Sequence, residues 1–240
     1  MLLHLLELRR RTILTVIWFM ILFVLFFFIA NDLFAFMVKP LLDSLPHHTG
    51  LIATQITSAV LTPLKLALNA AMILTSPVAL YHLWRFISPG LYKTEQHLVR
   101  GAILISMILF ITGVLFCFYF ILPFMFQLFH HALPQGVQLM PDMAYALDFI
   151  TRMLTIFGFC FQLPLICQIL VRMNIVPVAT LKKIRPYVIV GSLIVGMLLT
   201  PPDVLSQIML AVPLYLLYEA GILLGVASTK SLHTINSSSA

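Results

Sequence analysis

Long apolar stretches separated by short polar segments dominate the pattern of this chain. The first stretch covers residues 12–30 without a charged side chain and ends at the polar pair Asn31 and Asp32. At 1.5 Å per residue, its roughly 19 residues span about 28 Å, close to the thickness of a hydrocarbon core. A barrel strand would instead alternate apolar and polar residues over about 10 positions. The pattern therefore predicts a membrane-spanning helix.

Five further apolar stretches follow the first one. They cover residues 66–84, 101–122, 145–170, 187–200 and 204–225. The fifth stretch, at about 14 residues, reaches only roughly 21 Å and is followed at once by Pro201 and Pro202. We expect an all-α membrane protein with six transmembrane helices, in which the short fifth and sixth helices form a tight hairpin that thins the bilayer locally.

The connections between these stretches give further expectations. Residues 31–65 predict an outer loop with a short interfacial helix that stops at Pro40. Pro77 predicts a kink, because neighbouring helices can compensate a freed carbonyl group in a membrane. Pro123 marks the end of the third helix and the start of a second outer loop.

The domain organisation follows from the same pattern. Residues 1–225 are predicted to form a single six-helix domain, and the Ser-rich residues 226–240 to form a disordered tail. The first apolar stretch is too long for a signal-peptide core and lacks a small-residue cleavage site, so we expect it to be retained.

Basic residues divide unevenly between the two sides that six spans define. The side with both termini carries Arg9, Arg10, Arg11, Arg85, Lys93, Arg100, Arg172, Lys182, Lys183, Arg185 and Lys230. The other side carries only Lys39, Lys65 and Arg152. Because basic loops stay in the cytoplasm, we expect both termini to be cytoplasmic.

Composition excludes several classes of protein. Hydrophobic residues make up 61% of the chain and charged residues 9%, with a mean hydropathy of +1.07, whereas soluble domains carry roughly 25% charged residues. The net charge of +6 comes without a basic stripe interleaved with aromatic residues, so no nucleic-acid partner is expected. Cys117, Cys160 and Cys167 lack the spacing of a disulfide framework or a zinc site, and no cofactor is implied.

Catalytic motifs are also missing from the sequence. There is no phosphate-binding P-loop, no H-E-x-x-H and no G-x-S-x-G, and the pairs His47–His48 and His130–His131 lack further ligands at metal-site spacing. We therefore expect no enzyme. An intramembrane hydrolase would have to use His82, beside the interfacial Trp84. The alternative of a secondary solute transporter would require repeated halves, which the sequence does not show.

Two carboxylates stand out on the basic side, where Glu7 and Glu95 are the only acids apart from Glu219. Glu7 has a local explanation in an intrahelical pair with Arg10 or Arg11, and Glu95 in stabilising a helix N-terminus. The other interpretation is that both accept guanidinium groups from a partner, since arginine offers bidentate geometry to a carboxylate.

Four motifs resemble the TatC family of twin-arginine translocase subunits. They are H-L-L-E-L-R-R-R at residues 4–11, F-I-S-P-G-L-Y-K-T-E at 86–95, K-K-I-R-P-Y at 182–187 and L-L-T-P-P-D at 198–203. The resemblance extends over essentially the whole chain and implies a core subunit of the twin-arginine export system, located in the bacterial inner membrane. Such a subunit binds the Arg-Arg signal peptides of folded proteins and draws its energy from the proton gradient.

The resemblance also implies roles for particular residues. The signal peptide would bind Glu7, Arg9, Phe86 and Glu95, with Lys93 nearby. Single-span TatA- and TatB-type subunits would dock at Thr200 and Gln207, and several copies of the chain can share the assembled complex. Gln207 has an alternative in a hydrogen bond between helices of this chain.

Three further positions match the family with qualifications. Gln162 stands where many members have glutamate, and an amide cannot carry a proton, so only a structural or hydrogen-bonding role fits it. Asp203 matches a family acid, with a helix cap as the equal alternative. Pro40 matches a structural proline of the first outer loop. A concave, glove-like arrangement of the helices is the expected form.

Overall fold

Helices form the regular secondary structure of the chain. The computed structural model describes residues 2–44, 50–87, 96–132, 140–173, 175–200 and 203–237. In chain order the helices are α1 Leu2–Phe28, α2 Ala30–Leu42, α3 Ser58–Ile87, α4 Gln96–Phe116, a π-helical turn Cys117–Ile121, α5 Leu122–His131, α6 Met143–Cys160, α7 Leu163–Arg172, α8 Val178–Leu199 and α9 Val204–Ser237. Within these described ranges, β-type pairing is limited to an isolated bridge between Ile52 and Asp142.

Five helical segments are long and apolar enough to cross a membrane. They are Leu6–Phe28, Val60–Arg85, Gly101–His131, Met143–Arg172 and Val204–Ala227. These segments coincide with five of the six predicted stretches, which confirms the all-α membrane fold. The last segment has 24 residues, so the sixth helix is not short as predicted.

The remaining predicted stretch, residues 187–200, lies in α8. This helix begins at Val178 and includes Lys182, Lys183 and Arg185 in its first half. Lysine and arginine are good helix formers, so the helix starts before its apolar part does. The hydropathy pattern therefore located the apolar half of α8 and missed its charged half.

Contacts divide the chain into two units, residues 1–158 and 159–240. The single domain over residues 1–225 stays a prediction. In the first unit α1 packs along α3, α3 also packs against α4, and α2 lies against α3 and α5. The largest fully buried side chains of this unit include Leu66, Phe110 and Ile150.

In the second unit α9 packs against both α7 and α8. Its core consists of Cys167, Val171, Leu181, Tyr218 and Ile222. A Cβ atom at Gly221 would lie 3.0 Å from the Cα of Pro164, so glycine allows the close approach of α9 to α7. α9 continues to Ser237, and the sequence has no Gly or Pro between residues 226 and 237. The disordered tail over residues 226–240 stays a prediction.

Two prolines that were predicted to end helices lie within helical structure. α2 continues through Pro40 to Leu42, and the Ser44 hydroxyl donates to the Pro40 carbonyl at 2.8 Å. Before Pro123 the helix widens into the π-helical turn, in which the backbone N–H of Leu122 donates to Cys117 O. Pro123 lies in the first turn of α5, directly after this π-helical turn, and α5 continues to His131. α3 likewise runs across Pro77 without a break.

The fourth predicted stretch is divided into α6 and α7. A turn at Phe161 and Gln162 separates the two helices, and Pro164 lies in the first turn of α7. Near the start of α6 the predicted pair is confirmed, since Arg152 donates to Asp148 at 2.9 Å.

Candidate functional site

Glu7 lies near the start of α1, one helical turn before Arg11. The guanidinium of Arg11 donates to the Glu7 carboxylate, so the local pairing considered for Glu7 is confirmed with Arg11. The Arg11 side chain is 12% exposed and the Glu7 side chain 41%. A carboxylate can accept several donors, so this pair leaves Glu7 chemically able to receive a second guanidinium.

A cleft of about 250 Å³ opens where the start of α1 faces the end of α3. It is lined by Glu7, Arg10, Arg11, Leu14, His82 and Arg85. We call this the basic cleft, because three guanidinium groups and an imidazole surround one carboxylate. Arg85 is positioned by Tyr81, whose hydroxyl accepts a hydrogen bond from Arg85 Nη1 at 2.8 Å and whose ring centroid lies 5.9 Å from the guanidinium carbon.

Two nitrogen atoms of the basic cleft are buried without a hydrogen-bond partner among the described residues. They are Arg11 Nη1 and His82 Nδ1. A buried polar atom without a partner is destabilising, and one on a charged group more so. The cleft therefore has unused hydrogen-bonding capacity on its positively charged side.

The other residues predicted to bind a signal peptide have different positions. Arg9 is exposed on α1 and does not line the cleft. Phe86 follows Arg85 in α3, and its side chain lies outside the described part of the structure. Glu95 and Lys93 also lie outside the described residues. The structure thus brings Glu7 to the end of α3 that carries Phe86.

Sequence reasoning missed the contribution of α3 to this cleft. The spacing of residues 7, 10, 11 and 14 puts them on one face of a helix, and residues 82 and 85 share a face of another. Those spacings could have indicated two basic faces. Their meeting depends on the packing of α1 along α3.

The predicted docking residues Thr200 and Gln207 form hydrogen bonds within the α8–α9 hairpin. Thr200 is buried and its hydroxyl donates to Gly196 O at 3.0 Å. Gln207 Nε2 donates to Leu193 O at 3.0 Å, which confirms the interhelical bond considered for it. A Cβ atom at Gly196 would lie 2.9 Å from Gln207 O, so a glycine is needed at this crossing.

Asp203 and Gln162 each lie at the start of a helix. The Asp203 carboxylate accepts a hydrogen bond from Ser206 N at 2.7 Å, which confirms the helix-cap interpretation. Gln162 precedes α7 and is 3% exposed, and its backbone carbonyl accepts a hydrogen bond from Ile166 N at 2.9 Å. Pro40 is buried in α2, in keeping with a structural role.

Asp142 forms a connection between two loops that sequence reasoning did not predict. Its Oδ2 accepts bonds from Thr54 N at 2.9 Å and Thr54 Oγ1 at 2.6 Å, across 88 residues of chain. Its Oδ1 accepts Ala144 N at 2.8 Å and Tyr145 N at 3.2 Å at the start of α6. We call this arrangement the aspartate clasp. These hydrogen bonds lower the pKa of Asp142 to about 2, and the bond from the Thr54 side chain has the largest effect.

A second interhelical polar contact lies within the 159–240 unit. Arg185 of α8 donates to Glu219 of α9 at 2.7 Å, and the Tyr215 hydroxyl donates to the other Glu219 oxygen at 2.7 Å. Among the described residues, no group of three or more His, Cys, Asp or Glu side chains is arranged to hold a metal ion.

Comparisons with known proteins agree with the resemblance of the motifs. A family model described as "Sec-independent protein translocase protein (TatC)" matches residues 3–213. The chain is 41% identical over 222 residues to the protein of that name from Azotobacter chroococcum, covering 92% of this chain and 87% of the relative. It is 40% identical over 219 residues to that of Escherichia coli K12, covering 91% and 85%. A crystal structure described as "Twin Arginine Translocase Receptor- TatC" is similar with a TM-score of 0.83 and 32% identity, covering 94% of this chain and 99% of the other.

Proposed function

This chain belongs to the TatC family of Sec-independent protein translocase proteins, and on that premise we propose that it is the signal-peptide receptor of a twin-arginine export system. It is a membrane protein with a role in protein transport. The proposal adds the ligand, an Arg-Arg signal peptide, and the residues Glu7, Arg9, Phe86 and Glu95 that bind it.

The observation that carries the proposal is the engagement of the Glu7 carboxylate by a guanidinium group at an open cleft. Arg11 already provides one such partner, and 41% of the Glu7 side chain remains exposed. A signal-peptide arginine approaching from solvent offers the same fork of donors, while lysine offers a single ammonium group. Phe86, next in sequence to the cleft residue Arg85, would contact the apolar part of the peptide.

The wider assembly follows the family. We propose that the chain resides in the bacterial inner membrane with both termini in the cytoplasm, where the basic residues concentrate. TatA- and TatB-type subunits dock near Thr200 and Gln207, and the proton gradient drives transport. Because Gln162 is an amide, proton movement does not pass through that side chain.

Equilibrium binding of labelled peptides tests the receptor proposal. An Arg-Arg peptide and its Lys-Lys variant are titrated against the purified protein, against Glu7→Gln and against Glu95→Gln. We expect the preference for Arg-Arg to fall about tenfold in each variant, equivalent to ~1.4 kcal/mol for a lost charge-assisted pair.

Asp148→Asn is the matched control for Glu7→Gln. Asp148 is also paired with an arginine four residues later on its helix, and its side chain is 43% exposed against 41% for Glu7. This variant should keep the Arg-Arg preference unchanged. An equal preference in wild type and Glu7→Gln would remove Glu7 from the binding site.

A further inference from the structure

We propose that the basic cleft binds the phosphate group of an anionic phospholipid. The cleft is lined by the basic residues Arg10, Arg11, Arg85 and His82 and by one carboxylate, that of Glu7. Glu7 is already engaged by Arg11. The positive charges therefore exceed the negative charge at a partly enclosed surface.

The unpartnered guanidinium nitrogen of Arg11 indicates an acceptor as the missing ligand. The Arg11 side chain is only 12% exposed, and its Nη1 has no hydrogen-bond partner among the described residues. His82 Nδ1 is also buried without a partner, and it can donate to the same acceptor in the tautomer that carries the proton on Nδ1. A phosphate diester presents anionic oxygens that accept charge-assisted bonds from guanidinium groups, often two at a time.

The position of the cleft favours a lipid as the source of that phosphate. One wall is the arginine-rich start of α1, directly before the apolar residues 12–30, and the other is the last turn of α3 at Arg85, directly after the apolar residues 66–84. Basic residues that flank an apolar stretch lie at the level of the lipid headgroups, and Trp84 beside Arg85 is typical of this level. Its indole Nε1 donates to Ser106 Oγ at 3.1 Å, which fixes the end of α3 against α4.

An apolar surface continues from the cleft along α1. Leu14 lines the cleft, and Ile17, Trp18 and Ile21 beyond it are each about half exposed. A phospholipid with its headgroup in the cleft could thus lay an acyl chain along this face. Free phosphate would use only the basic groups.

Lipid binding to the purified full-length protein tests this site without any signal peptide, so its failure is separable from failure of the receptor proposal. Native mass spectrometry measures the binding of phosphatidylglycerol and, as a zwitterionic comparison, phosphatidylcholine. We expect phosphatidylglycerol to bind about tenfold more weakly to Arg10→Gln/Arg85→Gln. Arg10→Lys/Arg85→Lys, which keeps the charge but loses the forked donors, should lose about threefold.

Lys182→Gln/Lys183→Gln is the matched control, because it also removes two positive charges. Both lysines are exposed on α8 and are predicted to lie on the cytoplasmic side of the membrane, as are the cleft arginines. It should change binding less than twofold. Equal losses in the two Gln variants would reduce the effect to general surface attraction and overturn the site. Unchanged binding in Arg10→Gln/Arg85→Gln would also overturn it, and displacement of the lipid by millimolar inorganic phosphate would overturn the lipid as the source.

Discussion

The two ends of α3 meet carboxylates in contrasting surroundings. Just before α3 begins at Ser58, the loop residue Thr54 donates two hydrogen bonds to Asp142. Two backbone N–H groups at the start of α6 donate to the same carboxylate and complete the aspartate clasp. At its last turn, near Arg85, the carboxylate is Glu7, held by the long side chain of Arg11. Short bonds to backbone groups hold a loop in place, while a flexible guanidinium can be exchanged. The difference separates a structural carboxylate from one suited to binding.

The largest expected effect is the loss of the clasp. In Asp142→Ala the four hydrogen bonds disappear, and the loop and the start of α6 should open more often. Amide hydrogen exchange at Thr54, Ala144 and Tyr145 should become about tenfold faster or more. Asp43→Ala, which removes another exposed carboxylate from the end of α2, should leave these amides unchanged. Unaltered exchange in Asp142→Ala would mean that the clasp does not hold the loop.

Acidification should release the same contacts gradually. The pKa of Asp142 is lowered from 3.8 to about 2 in the folded chain, so its contribution to stability is present above about pH 4. That contribution is lost as the pH falls towards 2, because protonation then weakens the bonds from Thr54. Exchange at Thr54 should accelerate over this interval in the wild type. Asp142→Asn should show no such change, and an equal acceleration there would assign the effect to another group.

The smallest expected effect concerns the stability contribution of Glu7. An i, i+4 pair with an exposed carboxylate contributes about 0.3–0.5 kcal/mol, so Glu7→Gln should lower the thermal midpoint by about 1 °C. Together with a tenfold loss of peptide preference, this result would sharpen the contrast with Asp142. A drop of about 5 °C or more would show that Glu7 is structural as well, and the comparison would fail.

The hydropathy pattern was sufficient to predict most of the membrane-spanning helices. It was too coarse to predict where the helices end. The stretch at residues 12–30 lies largely in α1 because apolar length alone determines a span. The helix ends predicted at Pro40 and Pro123 were wrong, because α2 continues through Pro40 to Leu42, and a widened turn precedes Pro123 in the first turn of α5. The pattern of backbone hydrogen bonds around a proline cannot be read from the hydropathy of the sequence.

The candidate site was predicted only as far as local spacing reaches. The pairing of Glu7 with Arg11 follows from their i, i+4 separation, as does that of Asp148 with Arg152. The approach of His82 to Arg11 depends on helix packing, and the bond from Thr54 to Asp142 joins residues 88 positions apart. The roles of Phe86 and Glu95 in peptide binding stay predictions.

The π-helical turn at Cys117–Ile121 has a consequence for how this chain can change in length. A π turn accommodates one residue more than the α-helix around it, and so has the geometry of a single-residue insertion. The buried positions Ala102, Ser106 and Phe110 precede it, and Leu122, Met125 and Phe126 follow. Deleting one residue between Phe116 and Leu122 should therefore leave an ordinary α-helix with the same side chains facing inward, whereas a deletion elsewhere in α4 would turn them away. The third span is thus the place where this protein can lose an amino acid and keep its core.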